Sequence, residues 1–206
     1  IIPNSIYGIV SSSRYEAVCT VIEADDEKAQ NFENTAKILD TINNSTCALI
    51  GCGIGITPFS KYTVEKIVKN AEVPLVIDAD ALNILSKNPS LINEAKSDII
   101  ITPHPKEAAR LLNITTSEVQ IDRIGSAALL SEKTGAITVL KGANTIIALP
   151  NGKKYIVTDG NPGMATAGTG DMLAGMIVAF LSQGLSATDS AIAAVKLHAL
   201  AGDTAV

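Results

Sequence analysis

The chain has 206 residues, 47% of them hydrophobic, and a formal net charge of −5, which suits one substantial core and fits one domain better than two. The negative charge, the lack of a basic cluster and an aromatic content of 3% argue against binding to nucleic acid or to an acidic membrane surface. No apolar run approaches the roughly 18 residues of a membrane span, there is no signal-peptide pattern, and the three cysteines lack metal-ligand spacing. We therefore expect a cytoplasmic protein whose ligands are small molecules.

Short β-branched runs alternate with longer helical patterns along most of the chain. The predicted strands are 47–51, 75–78, 98–102 and 137–141. The predicted helices lie near 28–44, 60–71, 81–87, 105–112 and 117–134. Because segments of this length can cross over a sheet, the strands should pair in parallel with helices on both faces, which is an α/β fold.

The last third of the chain departs from this alternation. Residues 145–149 and 154–158 flank Pro150-Asn151-Gly152, where Asn-Gly favours the positive φ angles of a tight hairpin turn. Ser186 predicts the start of the last helix. The helix before it should follow residue 171, with an apolar stripe at Leu173, Met176, Ile177, Phe180 and Leu181.

Both ends of the chain suggest a fragment. It begins without Met and stops at residues 203–206, inside an apparent helix. No interdomain linker is visible between these ends. We therefore expect residues 1–206 to be one domain that is truncated at both ends.

Residues suited to chemistry follow each predicted strand. The segments are 51–55 with three glycines, 78–83 with two aspartates, 102–105 with a histidine, and 141–144 with a lysine and a glycine. In open α/β sheets ligands bind outside the carboxyl ends of the strands. These segments should therefore lie along one ligand-binding edge.

The glycine-rich segment 161–171 carries the strongest functional signal. Its glycines allow close backbone approach, and the helix start beyond them offers unpaired N–H groups to an anion such as phosphate. Asp171 would repel phosphate unless it has a chemical task, such as accepting a proton from a hydroxyl under attack. The alternative is that Asp171 only interacts with the helix dipole.

Several of the other candidates have simpler explanations. Gly51, Gly53 and Gly55 lack the spacing of a dinucleotide fingerprint and could form an ordinary turn. Asp78 and Asp80 could bind a metal, orient water or form Asx turns.

The histidines, Glu107 and Lys141 leave similar alternatives open. His104 lies between two prolines, which favours a fixed direction of its side chain, whereas His198 in the last helix is interpreted as structural. Glu107 could hold magnesium through water or cap a helix. Lys141 ends an apolar strand, so it should meet an anion there unless it is simply an exposed lysine.

Taken together, four blocks resemble the signature blocks of the ADP- or ATP-dependent (S)-NAD(P)H-hydrate dehydratases, in the order usual for that family. They are VIDADALN (76–83), ITPHPKE (101–107), VLKGANT (139–145) and GNPGMATAGTGD (160–171). The resemblance covers most of the chain from residue 47 onward. It implies a ribokinase-like three-layer α/β/α fold with a mostly parallel sheet, and a repair enzyme that dehydrates hydrated NADH or NADPH with ADP or ATP as phosphate donor.

The resemblance also implies roles for individual residues. Asp171 matches the catalytic carboxylate and a substrate contact, while Gly53 and His104 match other positions that contact the hydrated cofactor. Mg²⁺ would accompany the nucleotide without a dedicated protein cage. The nucleotide would be bound by Lys141, Gly142, Ala143, Asn144, Thr145, Gly168, Thr169 and Gly170.

The chain departs from the family pattern at three points. Cys52 replaces a usual Pro and Lys106 a usual Gly, so the loops near the substrate should differ in shape. A strand, glycine-rich turn and helix that normally begin the family domain would precede Ile1. The family also favours a symmetric homo-oligomer, and functional coupling to an NAD(P)H-hydrate epimerase would fit the same repair role.

Two other functions fit part of the pattern. A ribokinase-like kinase for a vitamin precursor would use the same glycine-rich turn and Asp171, but blocks 76–83 and 101–107 argue against it. A nucleotide-binding regulatory module would have no use for Asp171.

Overall fold

The computed structural model describes residues 1–13, 16–23 and 32–205. Its main sheet has six strands in chain order, and they pair as neighbours in that order. These strands are β3 (Ala48–Ile50), β4 (Leu75–Ile77), β5 (Ile99–Ile101), β6 (Ile137–Leu140), β7 (Thr145–Ala148) and β8 (Lys154–Val157). Strands β3 to β6 are parallel, and β7 and β8 add antiparallel pairs at one edge. A separate parallel pair joins β1 (Ile2–Pro3) to β2 (Val21–Ile22).

The described helices lie before β3, in the crossovers between the parallel strands β3 to β6, and after β8. They are α1 (Tyr7–Ser13), α2 (Phe32–Asn43), α3 (Pro58–Asn70), α4 (Ala79–Leu85), α5 (Pro105–Leu112), α6 (Thr116–Ile121), α7 (Arg123–Thr134), α8 (Thr169–Ser182) and α9 (Ala187–Thr204). Short 3-10 turns cover Asn4–Ile6, Pro89–Glu94 and Pro162–Met164. Among the described residues, none of these helices combines the length and the apolar character that crossing a bilayer requires.

Alternation along the strands divides the core into two layers. Ile77 and Ile101 face one side of the sheet, where they pack in a cluster with residues from α2 to α7. Val76 and Ile100 face the other side and pack with residues of α8 and α9. Because successive strand side chains point to opposite faces, a sheet covered on both sides needs apolar residues at every position. The arrangement is the three-layer α/β/α fold with a mostly parallel sheet.

Most of the predicted elements are confirmed, with small shifts of their ends. The predicted helix 117–134 is two helices, because Asp122 leaves helical geometry and its side chain caps α7 through the backbone N–H of Gly125. The helix predicted after residue 171 begins at Thr169. Residues 28–31 of the first predicted helix lie outside the described residues.

The hairpin between β7 and β8 is confirmed, but its turn differs from the prediction. Positive φ occurs at Gly152 and not at Asn151. The N–H of Gly152 donates to the carbonyl of Leu149, and the Asn151 side chain accepts from the N–H of Lys153. The asparagine therefore supports the turn through its side chain.

A close backbone approach at Gly51 brings the end of β3 against the start of α4. Gly51 has φ +125°, and a Cβ atom there would lie 1.8 Å from the carbonyl oxygen of Asp78. The carbonyl of Gly51 also accepts from the N–H of Asp80 at 3.2 Å. Only glycine can occupy this position without displacing the strand ends.

Gly51→Ala should lower the free energy of unfolding by about 2 to 4 kcal/mol, because it combines overpacking with positive-φ strain. The matched control is Gly175→Ala, which adds a Cβ in open space inside α8 and should be neutral or slightly stabilising. Denaturant unfolding of both variants measures the difference, and equal stabilities would contradict the packing argument.

Candidate functional site

The carboxyl ends of the parallel strands bring the predicted residues to one edge of the sheet. Asp78 follows β4 and Lys141 follows β6, and the Lys141 Nζ lies 2.7 Å from an Asp78 carboxylate oxygen. The Asp78 side chain is 1% exposed and that of Lys141 18%. The anion expected to meet Lys141 is therefore Asp78, and the pair joins the ends of two strands that are separated by β5.

The two aspartates of the segment 78–83 have different tasks. Asp78 precedes α4, but its side chain makes no hydrogen bond to the start of the helix, so the Asx-turn interpretation is wrong for it. Asp80 accepts a hydrogen bond from the N–H of Gly55 at 2.9 Å. This bond ties the loop that contains Gly53 to α4. Gly53 itself is exposed, with φ +67° and open space around it.

The N-terminus of α8 lies beside Lys141. Gly168 precedes the helix with φ +85°, and no side chain caps it, whereas side chains cap α3, α5, α6, α7 and α9. A Cβ atom at Gly170 would lie 3.2 Å from the Lys141 Nζ. Thr169 bonds through its hydroxyl to that of Thr166 at 2.8 Å. The ammonium group and the uncapped helix start therefore both attract an anion to the same place.

Asp171 lies in the first turn of α8 and is exposed. One carboxylate oxygen of Asp171, the Cys52 Sγ and an oxygen of Asp78 lie within 4.8 Å of one another. Burial, a hydrogen bond to Asp171 and the negative charge of Asp78 raise the pKa of the Cys52 thiol to about 12. The thiol therefore stays protonated beside the carboxylate.

His104 and Glu107 form the start of α5. The His104 Nδ1 accepts from the N–H groups of Lys106 and Glu107, and a Glu107 carboxylate oxygen accepts from the N–H of His104 at 2.8 Å. This capping box confirms the cap interpretation of Glu107, whose pKa is raised by burial. The His104 Nε2 lies 3.3 Å from the other Glu107 oxygen. Burial and the charge of Lys141 lower the pKa of His104, so the imidazole is neutral, with its proton on Nε2.

A cavity of about 680 Å³ opens beside these residues, between the β6–β7 loop and the ends of α8 and α9. Residues of the segment 141–145, together with Thr169 and Gly170, line it, and His104 lies at its border. The wall does not include Gly53, Gly168 or Asp171. The β6–β7 loop is shaped by Gly142 with φ +131° and Asn144 with φ +55°, and the Thr145 hydroxyl donates to the Gly142 carbonyl. Ala143 lies at the exposed tip of this loop.

Two further residues, one in this cavity wall and one packed against the β6–β7 loop, have contacts that the sequence did not reveal. His198 is half-buried in the cavity wall, where burial lowers its pKa and a hydrogen bond with the backbone of Thr169 opposes that shift, so its interpretation as a structural residue stays a prediction. In the sequence, the signal for His198 was an imidazole within the apolar stripe of α9. Arg123 donates to the carbonyls of Leu140 and Lys141 at 3.3 Å, and its guanidinium covers Gly142. No local sequence pattern predicts the contact of Arg123 with this loop, because Arg123 lies on a separate helix.

Comparison with known proteins agrees with these observations. The model of the family described as NAD(P)H-hydrate dehydratase matches residues 6–206. The chain belongs to the NAD(P)H-hydrate dehydratase family. It is 35% identical over 204 residues to the bifunctional NAD(P)H-hydrate repair enzyme of Moorella thermoacetica, covering 99% of this chain and 38% of that protein. It is 40% identical over 173 residues to the ADP-dependent (S)-NAD(P)H-hydrate dehydratase of Neisseria meningitidis, covering 82% of this chain and 58% of that protein.

The fold of this family member is shared with solved structures. The ADP/ATP-dependent NAD(P)H-hydrate dehydratase of Bacillus subtilis, co-crystallised with ATP and Mg²⁺, superimposes with a TM-score of 0.79 at 26% identity. The match covers 96% of this chain and 66% of that one. The matching structures include a ribokinase-like superfamily protein, which confirms the expected fold. The chain thus spans between about two fifths and two thirds of the lengths of these relatives.

Breaking the Asp78–Lys141 pair should destabilise the protein. Asp78→Ala removes the counter-charge of Lys141, and Lys141→Met leaves a buried carboxylate unpaired, so each should lower the free energy of unfolding by about 3 kcal/mol. In the double variant the decrease in the free energy of unfolding should be smaller than the sum of the decreases in the two single variants. Denaturant unfolding of all four proteins gives the coupling energy.

The control cycle uses Lys69 and Glu94, which are 3.0 Å apart with side chains 44% and 54% exposed. Their coupling should be at most about 1 kcal/mol, because water screens an exposed pair. If the coupling of Asp78 to Lys141 were no larger, the buried pair would not be a constraint on the site.

The neutral state of His104 should make stability depend on pH. Its pKa is about 6.5 in the unfolded chain and lower in the folded protein, so the unfolded state binds more protons as the pH falls. The stabilisation is fully present above about pH 6.5 and is lost as the pH falls through the folded pKa.

NMR titration of His104 should give a midpoint below 6.5 and the Nε2-protonated tautomer. His104→Asn, which keeps a capping side chain, should reduce the stability change between about pH 7.5 and about pH 5.5. A protonated Nδ1 at neutral pH would contradict the capping geometry.

Proposed function

We propose that the protein dehydrates (6S)-hydrated NADH or NADPH with ADP or ATP as the phosphate donor. Membership of the NAD(P)H-hydrate dehydratase family supports the substrate class. The observation that carries the proposal is the position of the Asp171 carboxylate, in the first turn of an uncapped helix beside the Lys141 ammonium group. A site that only bound phosphate would gain nothing from a carboxylate there.

In the proposed reaction the ring hydroxyl attacks the terminal phosphorus of the nucleotide. Asp171 accepts the hydroxyl proton as the new O–P bond forms, and the nucleotide leaves one phosphate shorter. The ring C–O bond then breaks with loss of phosphate, and a ring proton leaves as the double bond returns. Phosphorylation is needed because hydroxide is a poor leaving group.

The start of α8 would stabilise the charge of the phosphoryl group in transit. The N–H groups of Gly168, Thr169 and Gly170 would donate to its oxygens, and Lys141 would add a positive charge from the other side. Asp78 keeps the Lys141 Nζ at this place before any nucleotide arrives. Such a site needs little rearrangement when the ligand binds, which is the condition for efficient electrostatic catalysis.

The cavity of about 680 Å³ would take the nucleotide, with the segment 141–145 along one side and His198 on the other. The hydrated ring would lie on the opposite side of Asp171, between the loop of Gly53 and the imidazole of His104. Neutral His104 can donate from Nε2 only by giving up its contact with Glu107. Cys52, in place of the usual Pro, adds a thiol that donates to Asp171.

Magnesium would enter with the nucleotide. The single group of three His, Cys, Asp or Glu ligands within residues 1–13, 16–23 and 32–205 consists of Cys52, Asp78 and Asp171. A thiol and a carboxylate already paired with Lys141 do not make a cage for a hard cation that prefers oxygen ligands. Mg²⁺ would instead be held by the phosphates, where it neutralises their charge. The B. subtilis relative was co-crystallised with ATP and Mg²⁺, which supports this partner.

The wider setting of the reaction also belongs to this proposal. We place the enzyme in the cytoplasm, as one domain that assembles into a homo-oligomer. Its activity would be coupled to that of an NAD(P)H-hydrate epimerase, and the bifunctional name of the Moorella thermoacetica relative supports the link.

Asp171→Asn should lower turnover of hydrated NADH by about 10²-fold or more while leaving nucleotide binding largely intact, because only the proton acceptor is lost. Absorbance in the reduced-nicotinamide band, with Mg²⁺ and either ADP or ATP, follows the reaction and identifies the donor. The control is Asp189→Asn, which removes a first-turn carboxylate from α9 and should leave turnover unchanged.

Unchanged turnover in Asp171→Asn would exclude the proposed base. A stable phosphorylated alcohol, with no growth of the nicotinamide band, would instead indicate a small-molecule kinase.

A further inference from the structure

A second large cavity lies on the side of α5 away from the nucleotide cavity. It is a groove of about 920 Å³ between α4, α5, α7 and the turn Pro89–Glu94. Its polar lining is rich in donors and contains no aspartate or glutamate. The lining residues are Ile56, Asn83, Ser86, Lys87, Pro89, Ser90, Arg110, Leu111, Leu112, Asn113 and Lys133.

Three cations converge on this groove in a chain that has more acids than bases. The chain carries 21 Asp and Glu against 16 Lys and Arg, yet Lys87, Arg110 and Lys133 share one groove. In the part of the chain that the structure describes, the side chains of Lys87 and Lys133 have neither a hydrogen bond nor an ion pair, whereas the side chain of exposed Lys69 has a carboxylate partner. Arg110 and Lys133 lie in the last turns of α5 and α7, whose dipoles offset part of their charge, and the positive charge that remains in a concave site attracts anions.

Arg110 is held in place at one end of the groove. Its guanidinium donates to the side-chain oxygen of Asn83, which fixes the planar group between α4 and α5. No other hydrogen bond engages the guanidinium among the described residues, so its remaining N–H donors can form the paired bonds that suit a phosphate. The groove thus combines the guanidinium of Arg110, which is held by Asn83, with the ammonium groups of Lys87 and Lys133, which are unpaired in the described part of the chain.

The groove is connected to the proposed substrate site through two structural elements. Ile56, in its wall, belongs to the same loop as Gly53. Arg110 belongs to α5, which begins after His104, and its positive charge contributes to the lowered pKa of His104. The nucleotide cavity borders the other side of the same helix start. The proposed sites therefore follow one another in space: first the cavity for the nucleotide, then the site of the reacting ring, and then the basic groove.

We propose that the basic groove formed by Lys87, Arg110 and Lys133 binds the phosphates of the hydrated dinucleotide, on the side away from its reacting ring. This inference rests on the proposed function. The dinucleotide carries a diphosphate between its two halves, and the phosphorylated form of the cofactor carries a further phosphate on its adenosine. A groove with three cations matches this charge, and it lies where the molecule continues beyond the ring.

The groove binds a part of the substrate that does not change during the reaction. Its interactions are equal in the ground state and the transition state, so their loss raises KM and leaves kcat unchanged. The same loss should not affect the KM for ADP or ATP, because that nucleotide occupies the other cavity. This combination separates the groove from the catalytic residues.

The test uses Lys87→Gln, Lys133→Gln and the double variant, because both side chains are exposed and support no other contact. The double variant should raise the KM for hydrated NADH about tenfold, with a larger increase for hydrated NADPH, and leave kcat and the nucleotide KM unchanged. The matched control is Lys153→Gln, which removes one exposed charge from the β7–β8 turn and should leave every constant unchanged.

Equilibrium binding separates this inference from the proposed function. ADP-ribose carries the diphosphate without the nicotinamide ring, and calorimetry with the nucleotide cavity saturated by ADP measures its binding without turnover. Binding to the wild type that weakens in the double variant supports the groove even if the wild type dehydrates nothing. An unchanged KM together with unchanged ADP-ribose binding would overturn it. Pyrophosphate binding that depends on Lys87 and Lys133, with an unchanged KM, would also overturn the assignment to the substrate and indicate a separate phosphate-bearing metabolite.

Discussion

The buried ion pair between Asp78 and Lys141 is the constraint around which the site is organised. It connects the ends of β4 and β6 across β5, and it holds an ammonium group beside Gly170 at the start of α8. A lysine at the end of an apolar strand would otherwise turn toward water, because an unpaired buried charge is costly. The carboxylate is itself almost fully buried, so neither partner can leave without exposing the other to that cost. The position of the cation is therefore a property of the fold.

The starts of α5 and α8 show how the same backbone geometry serves two purposes. At α5 the side chains of His104 and Glu107 satisfy the free N–H groups, so that helix start is closed to a ligand. At α8 the preceding residue is Gly168, which has no side chain to offer, so no side chain occupies the N–H groups there, and that of Thr169 makes a long bond of 3.4 Å to the Thr166 carbonyl. Capping stabilises a helix by about 1 kcal/mol, and its absence from α8 leaves unused donors where an anion is expected. The two helix starts thus differ in whether side chains occupy their backbone donors, although both lie along one edge of the sheet.

Helix α5 also separates two large cavities of the molecule. The cavity proposed for the nucleotide is lined by the β6–β7 loop and α9, and the basic groove is lined by α4, α5 and α7. Their different charge follows from their linings: one has a loop of small residues that approaches a ligand through its backbone, and the other has long cationic side chains. The loop of Gly53 reaches the basic groove through Ile56, and His104 lines the other cavity. In the proposed reaction an elongated dinucleotide and a nucleoside phosphate approach from these opposite sides.

The sequence by itself determined the fold class, the parallel pairing of the strands before the hairpin, the hairpin and the segments that form the site. These features follow from local patterns, such as apolar runs, turn residues and the rule that parallel strands end at one edge. It could not decide which anion Lys141 meets, because Asp78 lies 63 residues away in the chain and only strand pairing brings the two together. It also did not reveal that Arg123 covers Gly142, that His198 faces the nucleotide cavity, or that Lys87, Arg110 and Lys133 share one groove. Those relations arise from the packing of separate helices, and no local pattern encodes the distance between elements that touch only in the folded protein.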